Sequence, residues 1–224
     1  MYEKYNWRFD EKVTKCFDEH VVNSVPFYNE FQNSIANMSV YFSQDNTKII
    51  DIGTSTGNLI GKIYNKNIKR NIKYIGIDTE ESMINECKNR YNNIEFIVQD
   101  AVNYNFNDSS VVTCMLTLQF MKRDERKKLL KNIYSGLRED GSLFIVEKIK
   151  SEVVDIHDIY NDIYYDFKRE KIKDTDILDK NISLRGIMKP ITLYENINDL
   201  RNIGFNKVDV FLKYHNFVGI IAIK

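Results

Sequence analysis

The stretch Lys48–Asn58, KIIDIGTSTGN, decides the fold. Ile49, Ile50 and Ile52 make a short β-branched apolar run, the pattern of a strand buried on both faces of a parallel sheet. Asp51 interrupts that run near its carboxyl end, where open α/β sheets bind their ligands. Gly53 and Gly57 let the backbone turn sharply and approach a ligand that a Cβ would repel. Thr56 or Asn58 is placed to cap a following helix, with Leu59, Ile60 and Ile63 on its buried face. Strand, glycine turn and helix in that order make a Rossmann-like α/β unit.

Spacing decides the ligand. A dinucleotide fingerprint needs Gly-x-Gly-x-x-Gly, whereas Gly53, Gly57 and Gly61 fall four apart. A P-loop needs four residues before Gly-Lys-Ser/Thr; only three separate Gly57 from Gly61-Lys62, and Ile63 follows. Acid-x-Gly-x-Ser-x-Gly instead resembles the first motif of class I S-adenosylmethionine (SAM)-dependent methyltransferases, with Ser55 where a middle glycine often sits. The competing reading of the loop is a tight turn with no ligand.

Composition narrows the class further. A chain of 224 residues is one α/β domain with extensions, large enough to bury a core. Lys plus Arg and Asp plus Glu both number 32, so no general pull toward nucleic acid or anionic membrane exists. Cys16, Cys87 and Cys114 are odd in number and lack paired spacing, which points to reduced thiols and a cytoplasmic setting. His20, His157 and His215 are too far apart to suggest a metal site and read as solvated or satisfied histidines. The N-terminus is charged without an apolar stretch, and no run approaches membrane-spanning length.

Outward from the loop, the chain alternates strand and helix. Phe9–Asn23 and Phe27–Phe42 read as two amphipathic helices broken at Ser24-Val25-Pro26, with Ser24 capping the second. Both are expected to cover the carboxyl edge of the sheet. Lys73–Asp78 and Ile94–Asp100 read as strands that each end in an acid. Asp78 is placed to accept hydrogen bonds from both ribose hydroxyls of an adenosine ligand, or merely to cap the segment from Thr79. Asp100 has the same two readings on the adenine side. Ser109–Leu118 and Ser142–Ile149 supply further strands around a charged helix, Lys122–Leu137, whose Arg123–Lys128 charges read as a solvated face. Helical periodicity at residues 151–179, a helix near Ile197–Ile203, and two closing strands at Lys207–Lys213 and Asn216–Ile223 complete the chain. The expected architecture is a seven-stranded, mostly parallel sheet with a helical cap (1–45), a cofactor-binding core (46–150), a helical insertion (151–190) and a closing helix and strand pair (191–224).

Several motifs together resemble one family. Phe9-Asp10-Glu11-Lys12-Val13, Ser24-Val25-Pro26 with Tyr28, Asp51-Ile52-Gly53, Thr117-Leu118-Gln119-Phe120, Ile133-Tyr134, Gly136-Leu137, Glu147-Lys148, Asp166-Phe167-Lys168-Arg169 and Asn216-Phe217 resemble carboxy-SAM synthase over nearly the whole chain. In that family SAM and prephenate give carboxy-SAM and phenylpyruvate, and the product serves tRNA wobble-uridine modification by a separate enzyme. The resemblance implies that Tyr28 reaches the SAM sulfonium and that Gly53, Thr54 and Ser55 hold the methionine moiety, with Asp51 and Gly57 completing the loop. It further implies that Asp78, beside Thr79, holds the ribose and that Asp100 with Ala101 holds the adenine.

Two positions depart from the family. Met115 stands where it has an asparagine facing SAM, and Asn181 where it has an arginine that pairs with the transferred carboxylate. A neutral amide cannot give the bidentate, charge-assisted pair of an arginine; Arg185, about one helical turn on, is the candidate substitute. Fold and SAM therefore carry over, and the carboxylate chemistry is expected not to. The sequence reads as a SAM-dependent transferase of the methyltransferase fold acting on a small molecule. Carboxy-SAM synthesis, a SAM-consuming cyclase and a non-catalytic SAM-binding partner are the alternatives, and a homodimer stays open.

Overall fold

A computed structural model of the chain describes residues 11–67 and 70–224. Helices α1 (Glu11–Ser24) and α2 (Tyr28–Phe42) precede strand β1 (Thr47–Ile52). Then come α3 (Asn58–Asn67), β2 (Ile72–Asp78), α4 (Glu81–Arg90), β3 (Glu95–Val98), β4 (Ser109–Met115), α5 (Arg123–Gly136) and β5 (Leu137–Lys148). The chain closes with α6 (Val154–Arg169), α7 (Asp174–Ser183), α8 (Leu193–Ile203), β6 (Lys207–Tyr214) and β7 (Phe217–Ile223). The strands form one sheet in the order β3-β2-β1-β4-β5-β7-β6. β1 to β5 run parallel, and β7 lies antiparallel between β5 and β6. This is the expected Rossmann-like, mostly parallel sheet. Phe9 and Asp10 of the N-terminal motif lie outside the described residues.

The alternation within β1 divides the core between two faces. Ile49 packs with Phe31 and Ile35 of α2, Ile60 and Ile63 of α3, and Ile84 of α4. Ile50 and Ile52 turn to the other face, against Leu129, Leu130 and Ile133 of α5 and Leu200 of α8. The N-terminal helices therefore differ from expectation. The α2 stripe Phe31, Ile35, Ala36 is fully buried on the sheet face beside α3, so α2 reaches the carboxyl edge only with its first turn, through Tyr28 and Gln32, and α1 covers the rest. Burying Phe31 and Ile35 contributes about 1.5–3 kcal/mol each, which holds α2 on this face.

Smaller corrections have local causes. Ser24 ends α1 and lies 3.3 Å from His20 Nε2, while the α2 N-cap is Phe27, in the left-handed region at φ 57. Thr56 and Asn58 both turn their side chains to Asp18 of α1. β4 stops at Met115 because Leu116 takes φ 57 and Leu118–Phe120 winds into a 3₁₀ turn. β5 starts five residues before the expected Ser142. Its register against β4 jumps from Ser109–Leu137 to Val111–Ser142 with Asp140 at φ 58, so the expected turn survives as a bulge. The period over residues 151–179 resolves into α6 and α7. α8 begins one turn earlier than expected, where Thr192 and Glu195 form a capping box that was present in the sequence as Thr-x-x-Glu.

Candidate active site

The carboxyl ends of β1, β2 and β4 open into a cavity of about 570 Å3, within the usual range for small-molecule sites. Its floor is the glycine loop. Gly53 and Gly57 take φ 67 and 80, and Ser55 between them takes φ 50, the conformation the family's middle glycine would hold without strain. A Cβ on Gly53 would overlap the Thr117 hydroxyl, so this residue type is required where the loop meets the turn after β4.

Two acids brace that loop. Asp51 is buried; its Oδ2 accepts from Thr54 Oγ1 at 2.8 Å and its Oδ1 from Thr113 Oγ1 at 2.6 Å. Burial pushes its carboxyl up to about 6, and the two hydroxyls resist that shift. Asp51 therefore ties β1 to β4 beneath the loop. Asp78 accepts from Ser55 N at 2.9 Å through Oδ2 and from Glu80 N at 3.0 Å through Oδ1. Its capping role and its place on the cavity wall coexist, because a carboxylate oxygen has a second lone pair.

The remaining expected residues gather on the same wall. Asp100 Oδ1 accepts from Val102 N at 2.9 Å and caps the 3₁₀ turn Ala101–Asn103, and the residue also lines the cavity. Thr79, Ala101, Met115 and Tyr28 line the cavity with them. Burial raises the Tyr28 hydroxyl, so it stays protonated at neutral pH.

Cations line another stretch of the cavity wall, and sequence reasoning missed most of them. Lys148 from the end of β5 and Lys168 from α6 flank the Tyr164 ring, with their Nζ atoms 4.2 and 4.3 Å from its centroid. Lys168 also lies 4.7 Å from the Tyr165 ring. Among the described residues neither lysine has a carboxylate partner. Burial and, for Lys148, the neighbouring Lys168 charge pull both ammonium groups down to about 8. Lys180 from α7 and Arg185 complete this wall. Lys180 also meets His20 of α1, whose imidazole burial and the Lys180 charge hold down to about 4.

Asn181 lines the cavity and donates to Tyr165 Oη at 2.9 Å. The family's missing arginine is therefore not matched by a missing charge. The motif Asp166-Phe167-Lys168-Arg169 splits across α6: Arg169 pairs outward with Asp166 and Asp174, while Lys168 turns inward. The available signal was the i, i+4 spacing of Tyr164 and Lys168, which puts ring and ammonium on one helix face.

The comparisons with known proteins agree with this geometry. A methyltransferase-domain family matches residues 49–141. The chain is 40% identical over 227 residues to the carboxy-S-adenosyl-L-methionine synthase of Staphylococcus epidermidis, covering 100% of this chain and 99% of that one. It is 36% identical to the protein of that name from Nautilia profundicola, covering 97% and 94%. Among solved structures, the plantazolicin methyltransferase BpumL superposes with TM-score 0.68 at 16% identity, covering 96% of this chain and 92% of that one. Human N-acetylserotonin methyltransferase, in complex with SAM, superposes with TM-score 0.64 at 15% identity, covering 96% and 55%. These likenesses establish the fold, and the full-length identities establish the family: the chain belongs to the carboxy-S-adenosyl-L-methionine synthases.

Proposed function

We propose that the chain makes carboxy-SAM from SAM and a carboxylate-bearing co-substrate, prephenate in the family it resembles. One observation carries this reading: the cavity is electrostatically divided. Its acids, Asp51, Asp78, Glu80 and Asp100, lie at or just beyond the ends of β1, β2 and β3, whereas Lys148 ends β5 beyond β4 in the sheet, with Lys168 of α6 on the same Tyr164 ring and Lys180 and Arg185 following in the chain. A sulfonium nucleoside suits the first side and an anion the second. On this reading the charge that Asn181 lacks comes from Lys148 of β5 and Lys168 of α6.

Gly53, Thr54, Ser55 and Gly57 cradle the methionine moiety, Asp78 beside Thr79 takes the ribose, and Asp100 with Ala101 takes the adenine. Met115 packs where the family has an amide, and Asp51 holds the loop in shape. When bound, SAM supplies the sulfonium-activated methyl carbon on which the transferred carboxyl group ends up. Tyr28 presents a protonated phenol and ring to the sulfonium, a cation–π contact of roughly 0.5–2 kcal/mol when desolvated. Lys148 and Lys168 orient the carboxylate of the co-substrate, and Arg185 and Asn181 line its entry.

Mass spectrometry of a reaction with SAM and prephenate tests the reading, with carboxy-SAM as the expected product. Formation of S-adenosylhomocysteine with a methylated acceptor, and no carboxy-SAM, overturns it. The ribose assignment has its own test. Asp78→Ala is expected to weaken SAM binding by about 1–3 kcal/mol in calorimetry, and undiminished affinity removes Asp78 from the site.

The proposal extends to setting. The enzyme works in the cytoplasm on a small molecule, without direct nucleic-acid binding, since the net charge is zero and this lysine cluster lies within the cavity. No helix among the described residues is long and apolar enough to cross a membrane. Val153, Val154 and Ile159 beside and within α6, with Leu178 of α7, are 50% exposed or more. They form the surface on which a homodimer would close.

A further inference from the structure

Thr56 and Asn58, placed by sequence to cap α3, do something else. Thr56 Oγ1 donates to Asp18 Oδ1 at 2.6 Å, and Asn58 Nδ2 donates to the same oxygen at 2.8 Å. Arg90 of α4 donates to Asp18 Oδ2 at 2.7 Å. One carboxylate of α1 therefore gathers the far half of the glycine loop, the first residue of α3 and the end of α4. Two positions on, His20 of the same helix meets Lys180 of α7. Phe17 and Val21 line the cavity between these two ties. α1 thus spans the cavity mouth from the glycine loop to the cationic wall.

We propose that Asp18 is a positioning residue for ligand retention: it fixes the loop through Thr56 and Asn58 and so holds α1 closed over the bound nucleoside. The partners are unequal. The Arg90 pair is substantially exposed, with side-chain values of 31% and 38%, and such pairs contribute little. Thr56 is 1% exposed, so its hydroxyl finds no ready water if the acceptor is removed. The loop bond dominates.

The inference rests on SAM being the ligand of the loop and is independent of what reaction follows. SAM affinity by calorimetry and SAM retention by rapid filtration test it, with thermal melting of the ligand-free protein recorded alongside. Asp18→Ala is expected to speed SAM release and weaken affinity by about 10- to 100-fold, the factor carried by a lost charge-assisted hydrogen bond. Asp18→Asn, which keeps an acceptor for Thr56 without the charge, is expected to recover part of that loss. Thr56→Val removes the loop end alone and should speed release as Asp18→Ala does, which keeps the test decisive if Asp18→Ala fails to fold. Parent-like retention in Asp18→Ala or in Thr56→Val overturns the proposal, as does a change in melting temperature without a change in release. Failure of the parent protein to bind SAM would count against the proposed function, and is read from the same titration.

Discussion

Lys168→Met and Lys148→Met are each expected to raise the KM for prephenate by roughly 10²-fold or more while leaving SAM affinity unchanged or slightly improved. Truncating one partner of a buried, hydrogen-bonded charge pair costs about 2–5 kcal/mol, which sets that scale. Methionine keeps the length and the aromatic contact with Tyr164, so loss of packing is not the cause of the effect. The sign for SAM follows from Coulomb's law, because removing a cation from the cavity relieves repulsion of the sulfonium. Steady-state kinetics with calorimetry separates the two ligands. A parallel loss of SAM affinity would mean that the lysines hold the methionine carboxylate of SAM.

The same pair gives a pH dependence. Each ammonium is pulled down to about 8, so the charged form that attracts a carboxylate is present below that pH and lost above it. Affinity for the co-substrate should therefore fall as pH rises through about 8, while an ordinary lysine near 10.4 would show no change there. In Lys168→Met the repulsion acting on Lys148 is gone, and the midpoint should move upward.

The parts of the molecule that were legible in sequence are those that depend on local pattern. β1, its glycine loop, and the acid ending β2 follow from burial period and turn chemistry within about ten residues. The helix α3 follows the same way, with Leu59, Ile60 and Ile63 all buried as expected. What stayed hidden depends on which distant side chains meet. Lys148 and Lys168 lie on different elements, and nothing in their neighbours' types shows that both ammonium groups flank Tyr164. Asp18 reads as one more acid on an amphipathic helix until the fold brings it 2.6 Å from a hydroxyl 38 residues away. Asn181 shows the opposite hazard, since one missing arginine was legible and the charges that replace it were not.

Arg126 is the clearest case, because the Arg123–Lys128 charges read as a solvated face, yet this side chain is 3% exposed. It donates to Asn196 Oδ1 and attracts Glu147, itself 1% exposed and hydrogen-bonded to Leu118 N at 2.9 Å. Arg126→Met is expected to destabilise the protein by about 1–3 kcal/mol, because Asn196 Oδ1 loses its buried donor and the Glu147 carboxyl loses a nearby positive charge. Adding Glu147→Gln should recover part of that loss, and the double-mutant cycle reads the coupling in urea. Burial already raises Glu147 to about 7 from 4.5. A carboxyl raised in the folded state binds its proton more tightly there, so the stability it contributes falls as pH rises from about 4.5 through about 7. Without Arg126 the carboxyl rises further, and the loss should extend to higher pH. Activity should fall with stability, since Glu147 holds the turn at Leu118 and Gln119 Oε1 accepts from Lys148 N at 2.9 Å. A cost below about 1 kcal/mol for Arg126→Met would show that Glu147 is protonated in the native protein and that the pair is not ionic.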